Sequence, residues 1–286
     1  MQLFKFILTV PQSSAALAES LLDSAEVPFH QNLDEVVRTC DGLPGRSLFI
    51  YAEPHQREAW EGLLATHGLA RYLKIEPFEY DPGAWVEKWK AYYEWARISP
   101  RLAVGPDFKP CPFAVPVAIG IEPGQSFGTG VHESTQIALT LLDEFLAPGA
   151  SLLDAGCGTG ILAIAALRLG AKAALAFDIE LDAVRETTRN AAANGVRVES
   201  FCGGIEAVHG SFDVVVANML GYRLQAIAQA LHRAVAPGGL LVLAGLVNKE
   251  SAAFVRAFFA AGPRFTELRR LQRNEWWGAA WRREEA

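Results

Sequence analysis

A glycine-rich turn that follows an apolar run carries the strongest chemical signal in this sequence. Residues 152–160 read LLDAGCGTG, so a strand-like segment ends in Asp154 and three glycines then alternate with other residues. Glycine adopts backbone conformations that side chains forbid and lets the chain pass close to a ligand. In dinucleotide sites the spacing is instead G-x-G-x-x-G, and the turn cradles a diphosphate. Asp154 therefore indicates a ligand with a cationic amino-acid moiety, unless the segment is a tight turn that binds nothing.

Acidic and amide side chains also end the neighbouring strand-like runs. Asp178 stands 24 residues after Asp154, and the acidic residue that ends the second strand of nucleoside-binding sheets accepts hydrogen bonds from ribose hydroxyls. The alternative is that Asp178 caps the helix predicted at 181–194. Ile205 follows the third strand and is predicted to pack on a purine. Asn218 ends the fourth strand at the topological switch point, and we expect it to face the reacting group unless it is only a polar turn residue.

A second glycine-containing segment lies upstream. Residues 122–135 read EPGQSFGTGVHEST, and the glycines around Thr129 predict a loop pressed against another part of the protein. A helix is predicted to begin within 132–135 and to run to about Phe145. A loop and a helix immediately before the first strand of the sheet could fold over a ligand at the glycine turn. His132 taken alone is more often structural than catalytic.

The elements that position these residues alternate along the C-terminal part of the chain. Strands are predicted at 151–155, 174–179, 197–202, 212–217 and 239–244. The helices predicted between and after them cover 160–169, 181–194, 222–235 and 249–261. This alternation is typical of an α/β fold with a doubly wound parallel sheet. The last strand-like runs, 265–273 and 276–283, have no helix between them and predict a closing antiparallel hairpin.

Residues 1–80 follow a different pattern, which predicts a small α+β domain. Strands are predicted at 2–10, 47–52 and 72–80, helices at 13–25 and 55–67, and one further strand between 27 and 40. The order β-α-β-β-α-β is that of a ferredoxin-like domain. Residues 81–100 form a predicted linker helix, in which Trp85 and Trp89 share one face. These aromatic residues either pack on the domains or contact a protein substrate.

Composition limits the classes of partner. The chain has 286 residues and a formal net charge of −6, so neither nucleic acid nor an anionic membrane is an expected partner. Its four cysteines have no metal-ligand spacing, and we predict neither a metal site nor disulfides. No segment has the pattern of a signal peptide or the length of a transmembrane helix, and a cytoplasmic protein is expected.

Taken together, these motifs resemble the class I S-adenosylmethionine-dependent methyltransferases, and in particular the PrmA family, bacterial enzymes that methylate the eleventh protein of the large ribosomal subunit. The family's F-G-T-G-x-H-x-[ST]-T segment is similar to residues 127–135, and its D-x-G-C-G-[ST]-G-I-L-A-I-A-A segment to residues 154–166. Its A-N-I-L turn resembles residues 217–220, and its W-x-x-x-W-K region resembles the linker, so the likeness covers nearly the whole chain. Met219 replaces the usual isoleucine, and Gly204 stands where the family often has an acidic residue.

The resemblance implies a Rossmann-like catalytic domain over 101–286 that binds S-adenosylmethionine, and an N-terminal domain that recognises the ribosomal protein. Cofactor contacts are implied at Thr135, Gly156, Asp178 and Asn218, with Phe127, Thr129 and Gly158 beside them. Asp154 and Ile205 complete the predicted cofactor site. Asn218 is also the predicted catalytic residue, which would orient an attacking lysine or α-amino nitrogen through its side-chain oxygen or a neighbouring backbone carbonyl.

Two other functions remain open on the sequence alone. Methyltransferases that act on bases or on glutamine commonly follow the fourth strand with Asn/Asp-Pro-Pro-aromatic, whereas Met219 and Leu220 offer neither a proline nor a ring. A ribosome-assembly protein that keeps the fold without catalysis would tolerate loss of the glycines or of Asp178, and both are intact.

Overall fold

The computed structural model describes residues 2–15, 17–18, 29–31, 37–52, 57–79, 93–122, 124, 126–247 and 251–285. The chain divides into two compact units, Met1–Ala91 and Tyr92–Ala286. Among the described residues no helix is long and apolar enough to cross a membrane. The same residues contain no group of His, Cys, Asp and Glu side chains that could hold a metal ion.

The first unit contains a five-stranded antiparallel sheet. Its elements are β1 (Gln2–Pro11), β2 (Phe29–Gln31), β3 (Val37–Arg38), β4 (Pro44–Ala52), α1 (Arg57–Thr66) and β5 (Leu73–Glu79). The strand order is β2-β4-β1-β5, with β3 beside β4. Successive side chains of a strand point to opposite faces. Leu8 and Val10, two positions apart in β1, are therefore both buried, in one core cluster with Leu48 and Leu64.

Most elements predicted for residues 1–80 have a counterpart in this sheet. The strands predicted at 2–10, 47–52 and 72–80 correspond to β1, β4 and β5, and the helix predicted at 55–67 corresponds to α1. The stretch between 27 and 40 holds two short strands, β2 and β3, where one was predicted. The helix predicted at 13–25 begins beside a 3-10 turn, Gln12–Ser14, and most of it lies outside the described residues.

A small sheet that the sequence pattern did not indicate opens the second unit. Its strands are β6 (Ala96–Arg97), β7 (Leu102–Pro106) and β8 (Val117–Ile121), with β6 antiparallel to β7 and β7 parallel to β8. Ser99 closes the β6–β7 turn, because its hydroxyl accepts hydrogen bonds from the backbone N–H groups of Arg101 and Leu102 at 3.0 Å. The linker helix predicted at 81–100 is therefore wrong over β6, while Trp85 and Trp89 lie outside the described residues.

The second unit is built around a seven-stranded sheet. Its strands are β9 (Ser151–Ala155), β10 (Ala173–Asp178), β11 (Glu199–Cys202), β12 (Phe212–Asn218), β13 (Val235–Val247), β14 (Phe265–Arg273) and β15 (Trp276–Arg283). Its helices are α2 (Glu133–Phe145), α3 (Ile161–Arg168), α4 (Leu181–Ala193), α5 (Gly221–Ala226), α6 (Ala228–Ala234) and α7 (Ser251–Phe258). The order is β11-β10-β9-β12-β13-β15-β14, with five parallel strands and an antiparallel hairpin. The predicted Rossmann-like fold with a closing hairpin is confirmed.

The central strands are buried on both faces, which explains their continuous apolar runs. In β12, Val214 and Val216 belong to one core cluster, and Val215 belongs to the cluster on the opposite face. The helix predicted at 222–235 is divided at Ile227 into α5 and α6. Since β9, β10 and β12 are parallel neighbours, their carboxyl ends lie at one edge of the sheet and bring the predicted site residues together.

Candidate active site

The glycine turn after β9 is fixed by the end of β10. Gly156, Gly158 and Gly160 have φ angles of 72°, 54° and 79°, a region that residues with side chains rarely adopt. The N–H groups of Gly156 and Cys157 donate to the Phe177 carbonyl at 2.9 and 3.0 Å. Each glycine is therefore required by the path of the backbone, and the turn is attached directly to the neighbouring strand.

Asp154 lies fully buried beneath this turn. One carboxylate oxygen accepts a hydrogen bond from the Ala163 N–H group at 3.0 Å, whereas the other has no partner among the described residues. The pKa of Asp154 is raised to about 7, chiefly by burial and to a smaller extent by the nearby charge of Asp178, while the hydrogen bond from Ala163 opposes the rise. A buried polar atom without a partner carries a desolvation cost, so Asp154 is suited to a cationic ligand that supplies the missing donor.

Asp178, at the end of β10, holds the turn from the other side. One carboxylate oxygen accepts from the Gly158 N–H group at 3.0 Å and the other from the Glu180 N–H group at 3.1 Å. The N-cap residue of α4 is Glu180, so Asp178 is not the helix cap that the alternative interpretation required. Each carboxylate oxygen has a second lone pair, and Asp178 can accept further hydrogen bonds from ligand hydroxyls.

The backbone of residues 126–130, the Phe127 loop, lies directly against the glycine turn. The Thr159 N–H group donates to the Phe127 carbonyl at 3.0 Å, and the Thr159 hydroxyl donates to the Gly128 carbonyl at 2.6 Å. A Cβ atom at Gly158 would overlap the Phe127 carbonyl oxygen. The predicted contact of this loop with another part of the protein is thus confirmed, and Gly158 serves that contact. The backbone carbonyl of Thr129, in the same loop, accepts a hydrogen bond from the Tyr93 hydroxyl.

Aromatic side chains stand at the outer side of the Phe127 loop. The Phe127 ring is 55% exposed and meets the His132 ring edge-on, with centroids 5.0 Å apart. The His132 ring also meets Trp276 of the closing hairpin at 4.8 Å. His132 is the N-cap of α2, because its Nδ1 accepts from the Ser134 N–H group at 3.2 Å, and burial lowers its pKa. His132 thus has a structural role as the N-cap of α2, whereas Trp276 was not predicted here.

Asn218 and Thr135 meet at the end of β12. The Asn218 side-chain amide donates to the buried Thr135 hydroxyl at 3.2 Å, and the Asn218 amide oxygen is buried without a partner among the described residues. A Cβ atom at Gly245, whose φ is 81°, would lie only 3.0 Å from that oxygen. Gly245 sits where the β13–β15 register shifts, between Leu243 and Leu246. Such bulges change the direction of side chains next to active sites. The sequence indicates this bulge only by Gly245, a glycine within an apolar run.

Ile205 follows β11 and is part of the apolar core. It begins the short 3-10 helix Ile205–Ala207 and is 6% exposed within the same core cluster as Phe177 and Val215. The loop before it is attached to β10, because the Gly203 N–H group donates to the Asp178 carbonyl at 2.8 Å. Its contact with an adenine ring stays a prediction.

Comparisons with known proteins agree with the motifs. The family model of the ribosomal protein L11 methyltransferases (PrmA) matches residues 16–284. A ribosomal protein L11 methyltransferase of Pelotomaculum thermopropionicum is 36% identical over 233 residues, 78% of this chain and 75% of that protein. One of Actinobacillus pleuropneumoniae is 30% identical over 263 residues, covering 91% and 88%. One of Chromobacterium violaceum is 40% identical over 167 residues, little more than half of either protein at 58% and 56%.

Solved structures give the same result. The ribosomal protein L11 methylase of Lactobacillus delbrueckii subsp. bulgaricus superimposes with a TM-score of 0.62 and 28% identity, covering 68% of this chain and all of that one. A methyltransferase from Pyrococcus furiosus, 19% identical with a TM-score of 0.50, shares the fold over 59% of this chain and 90% of its own. The family resemblance of the motifs is confirmed. The chain belongs to the ribosomal protein L11 methyltransferase (PrmA) family.

Proposed function

We propose that this protein transfers methyl groups from S-adenosylmethionine to lysine side chains, the N-terminal amine, or both, of ribosomal protein L11. The observation that carries the proposal is the carboxylate of Asp154, buried with one oxygen unpartnered beside the left-handed glycine turn. The sulfonium cofactor combines a cationic amino group with a ribose, which matches Asp154 and Asp178 in chemistry. The family's relatives carry L11 in their names, and ribosomes are cytoplasmic, so we expect the protein to act there.

The remaining predicted residues fit the same cofactor. Gly156 allows the turn to approach it, Phe127 covers it, and Ile205 borders its purine. Thr129 and Thr135 belong to the loop and helix that close the site. S-adenosylmethionine, when bound, supplies an electrophilic methyl group attached to a positively charged sulfur.

The work left to the protein is to hold a neutral amine in line with that methyl group. A free lysine, with a pKa near 10.4, costs about 4–5 kcal/mol to deprotonate at pH 7. Burial and a nearby positive charge both lower an amine pKa, so the site needs no dedicated base. Asn218 orients the amine through its side-chain oxygen or a neighbouring backbone carbonyl, and alignment of this kind provides most of the rate enhancement.

The two rival functions differ in where labelled methyl groups go. We expect tritium from labelled S-adenosylmethionine to appear in L11, with mass spectrometry locating it on amine nitrogens. Label in RNA, or in a glutamine side chain, would support the first rival. Cofactor binding without transfer to L11, alone or in ribosomes, would support the non-catalytic rival. Asn218→Ala is the matched negative control, since it keeps both carboxylates.

The first unit is proposed to recognise L11. A fragment that begins at Tyr92 keeps β6 and the glycine turn, which belong to the second unit. It should bind S-adenosylmethionine in calorimetry but fail to methylate L11 at enzyme concentrations sufficient for the full chain. Full activity from the fragment would exclude residues 1–91 as the recognition module.

A further inference from the structure

One face of α4 carries polar side chains that are buried rather than exposed to solvent. Glu186, Thr187 and Asn190 are 6%, 0% and 2% exposed. Residues three and four positions apart lie on the same side of a helix, so these side chains form one patch. Buried polar groups need partners, and here the partners are backbone groups of the glycine turn, of the Phe127 loop and of the segment before that loop.

Asn190 binds the glycine turn and the segment just before the Phe127 loop with a single amide. Its oxygen accepts from the Glu122 N–H group at 3.0 Å, and its nitrogen donates to the Thr159 carbonyl at 3.0 Å. Thr159 in turn donates to the Phe127 and Gly128 carbonyls. Thr159 thus links the Phe127 loop to Asn190, and Asn190 also holds the backbone at Glu122, shortly before that loop.

Two neighbours on α4 also bind the backbones of these loops. The Glu186 carboxylate accepts from the Ser126 N–H group at 3.3 Å, on the Phe127 loop. The Thr187 hydroxyl donates to the Gly158 carbonyl at 3.0 Å, on the glycine turn. An amide can accept from one backbone and donate to another through two separate atoms. The two bonds of Asn190 connect the glycine turn to the segment that leads into the Phe127 loop.

We propose that Asn190 is a positioning residue that keeps the Phe127 loop and the glycine turn in register, so that the two close on the cofactor as one unit. The inference rests on the proposed function, because it takes S-adenosylmethionine as the ligand of these loops. It goes beyond that function by assigning a role to a side chain buried in α4 that need not touch the ligand. The competing explanation is that Asn190 only stabilises the fold.

The chain offers a matched control one turn along α4. Asn194 holds Gly120 with the same pair of bonds, from the Gly120 N–H group at 3.1 Å and to the Gly120 carbonyl at 2.7 Å. Its side chain also bonds the α4 backbone and neither loop of the site. Asn190→Ala and Asn194→Ala therefore remove similar interactions from the fold, and they differ in whether the lost bonds include one to the glycine turn.

The test uses the full-length chain and measures cofactor affinity by calorimetry. We expect Asn190→Ala to weaken S-adenosylmethionine binding about tenfold, which corresponds to about 1.4 kcal/mol, while Asn194→Ala stays within twofold of the wild type. Hydrogen exchange without cofactor should be faster for both 122–128 and 156–160 in Asn190→Ala, and in neither segment for Asn194→Ala. This readout is independent of catalysis and of the substrate.

Asn190→Asp is a second variant, close in size to the wild-type side chain. It keeps the shape and the acceptor for Glu122 but sets a carboxylate oxygen against the Thr159 carbonyl, so cofactor affinity should fall at least as far. Equal losses of affinity in the Asn190 and Asn194 variants, or a folded Asn190 variant that binds within twofold of wild type, would overturn the proposal. Failure of the wild type to methylate L11 would instead count against the proposed function, with the exchange comparison still deciding the role of Asn190.

Discussion

The two loops that meet at the site are held in different ways. The glycine turn is attached to the sheet itself, through the Phe177 carbonyl and the Asp178 carboxylate at the end of β10. The described contacts of the Phe127 loop go instead to other loops and to side chains, namely Thr159, Tyr93 and Glu186. One loop is fixed by its neighbouring strand, and the other depends on the first.

This difference assigns different roles to the loops. A turn bonded to a buried strand can move only with the sheet, so it provides the fixed half of the site. A loop held by a few hydrogen bonds, with the Phe127 ring largely exposed, belongs to the part of a structure that opens locally at low cost. We expect cofactor binding to change hydrogen exchange in the Phe127 loop more than in the glycine turn.

The largest expected effect comes from Gly158→Ala, which tests the dependence of one loop on the other. The new Cβ atom would overlap the Phe127 carbonyl in a left-handed conformation, so the Phe127 loop must move. Backbone strain of about 1–2 kcal/mol adds to that displacement, and we expect cofactor affinity measured by calorimetry to fall at least about 100-fold. Gly149→Ala is the control, since Gly149 has a φ of 79° and open space around it. Similar losses of affinity in both variants would show that strain alone, and not loop contact, matters.

The same contrast explains what the sequence could predict. The strands of the main sheet and the closing hairpin occur within a few residues of their predicted positions, because buried apolar runs and local turn residues encode them. Asp154, Asp178 and Asn218 were predictable as a group, since parallel strands bring their carboxyl ends to one edge. The glycine turn was also predictable, because its three glycines indicate a backbone with positive φ angles.

Features that depend on distant partners were not predictable. The strand β6 pairs with β7, and two residues of strand carry too little pattern to indicate it. The role of Gly245 depends on a bulge in the pairing of β13 with β15. The role of Asn190 depends on hydrogen bonds to backbone groups 31 and 68 residues away along the chain. An asparagine within a helix looks solvent-exposed until its partners are known. Contacts of this kind are properties of the fold rather than of a local pattern.

The second prediction concerns charge in the fixed half of the site. Because the Asp154 pKa is raised to about 7, a cationic ligand must displace a proton when it binds below that pH. We expect affinity for S-adenosylmethionine to decrease about tenfold per pH unit below 7. Asp154→Asn should weaken binding by about 10- to 100-fold at pH 8, through loss of a charged hydrogen bond. An affinity that is flat between pH 5 and 8 would contradict the assignment.

Stability without cofactor should respond to Asp154 in the opposite sense. A carboxyl group whose pKa is raised by folding stabilises the fold while protonated, and this contribution is lost as the pH rises through about 7. Thermal unfolding should therefore show Asp154→Asn to be more stable than wild type at pH 8, and the difference should shrink at pH 5. An equal difference in stability at pH 5 and pH 8 would mean that the substitution acts through packing rather than through charge.

The third prediction concerns the two groups that Asp178 is expected to bind, the Gly158 N–H group and the ribose hydroxyls of the cofactor. Asp178→Ala removes acceptors for the ribose hydroxyls and also releases the Gly158 N–H group. Charged hydrogen bonds are worth about 1.5–3 kcal/mol each, so calorimetry should show affinity for S-adenosylmethionine reduced by at least about tenfold. Hydrogen exchange at Gly158 should rise even without cofactor. Unchanged affinity in a folded variant would remove Asp178 from the site.

The smallest effect is expected at Thr135, the α2 residue whose hydroxyl meets the Asn218 side chain at the end of β12. Thr135→Val keeps the side-chain shape and removes only the hydroxyl that the Asn218 amide binds at 3.2 Å. A neutral hydrogen bond contributes about 0.5–1.5 kcal/mol, which predicts a loss of about two- to tenfold. If the hydroxyl acts through Asn218, the rate of methyl transfer at saturating cofactor should fall by this factor. If it binds the cofactor directly, the affinity should fall instead.

Thr140→Val provides the control for that comparison. Thr140 lies on the same helix, and its hydroxyl bonds the Gln136 carbonyl within α2 rather than the site. It should change stability slightly and leave both binding and rate unaltered. Exchange of 126–135 should slow when S-adenosylmethionine binds the wild type, and less so in Thr135→Val. Identical exchange with and without cofactor, together with normal binding and turnover in Thr135→Val, would mean that this loop and helix only connect β8 to the sheet.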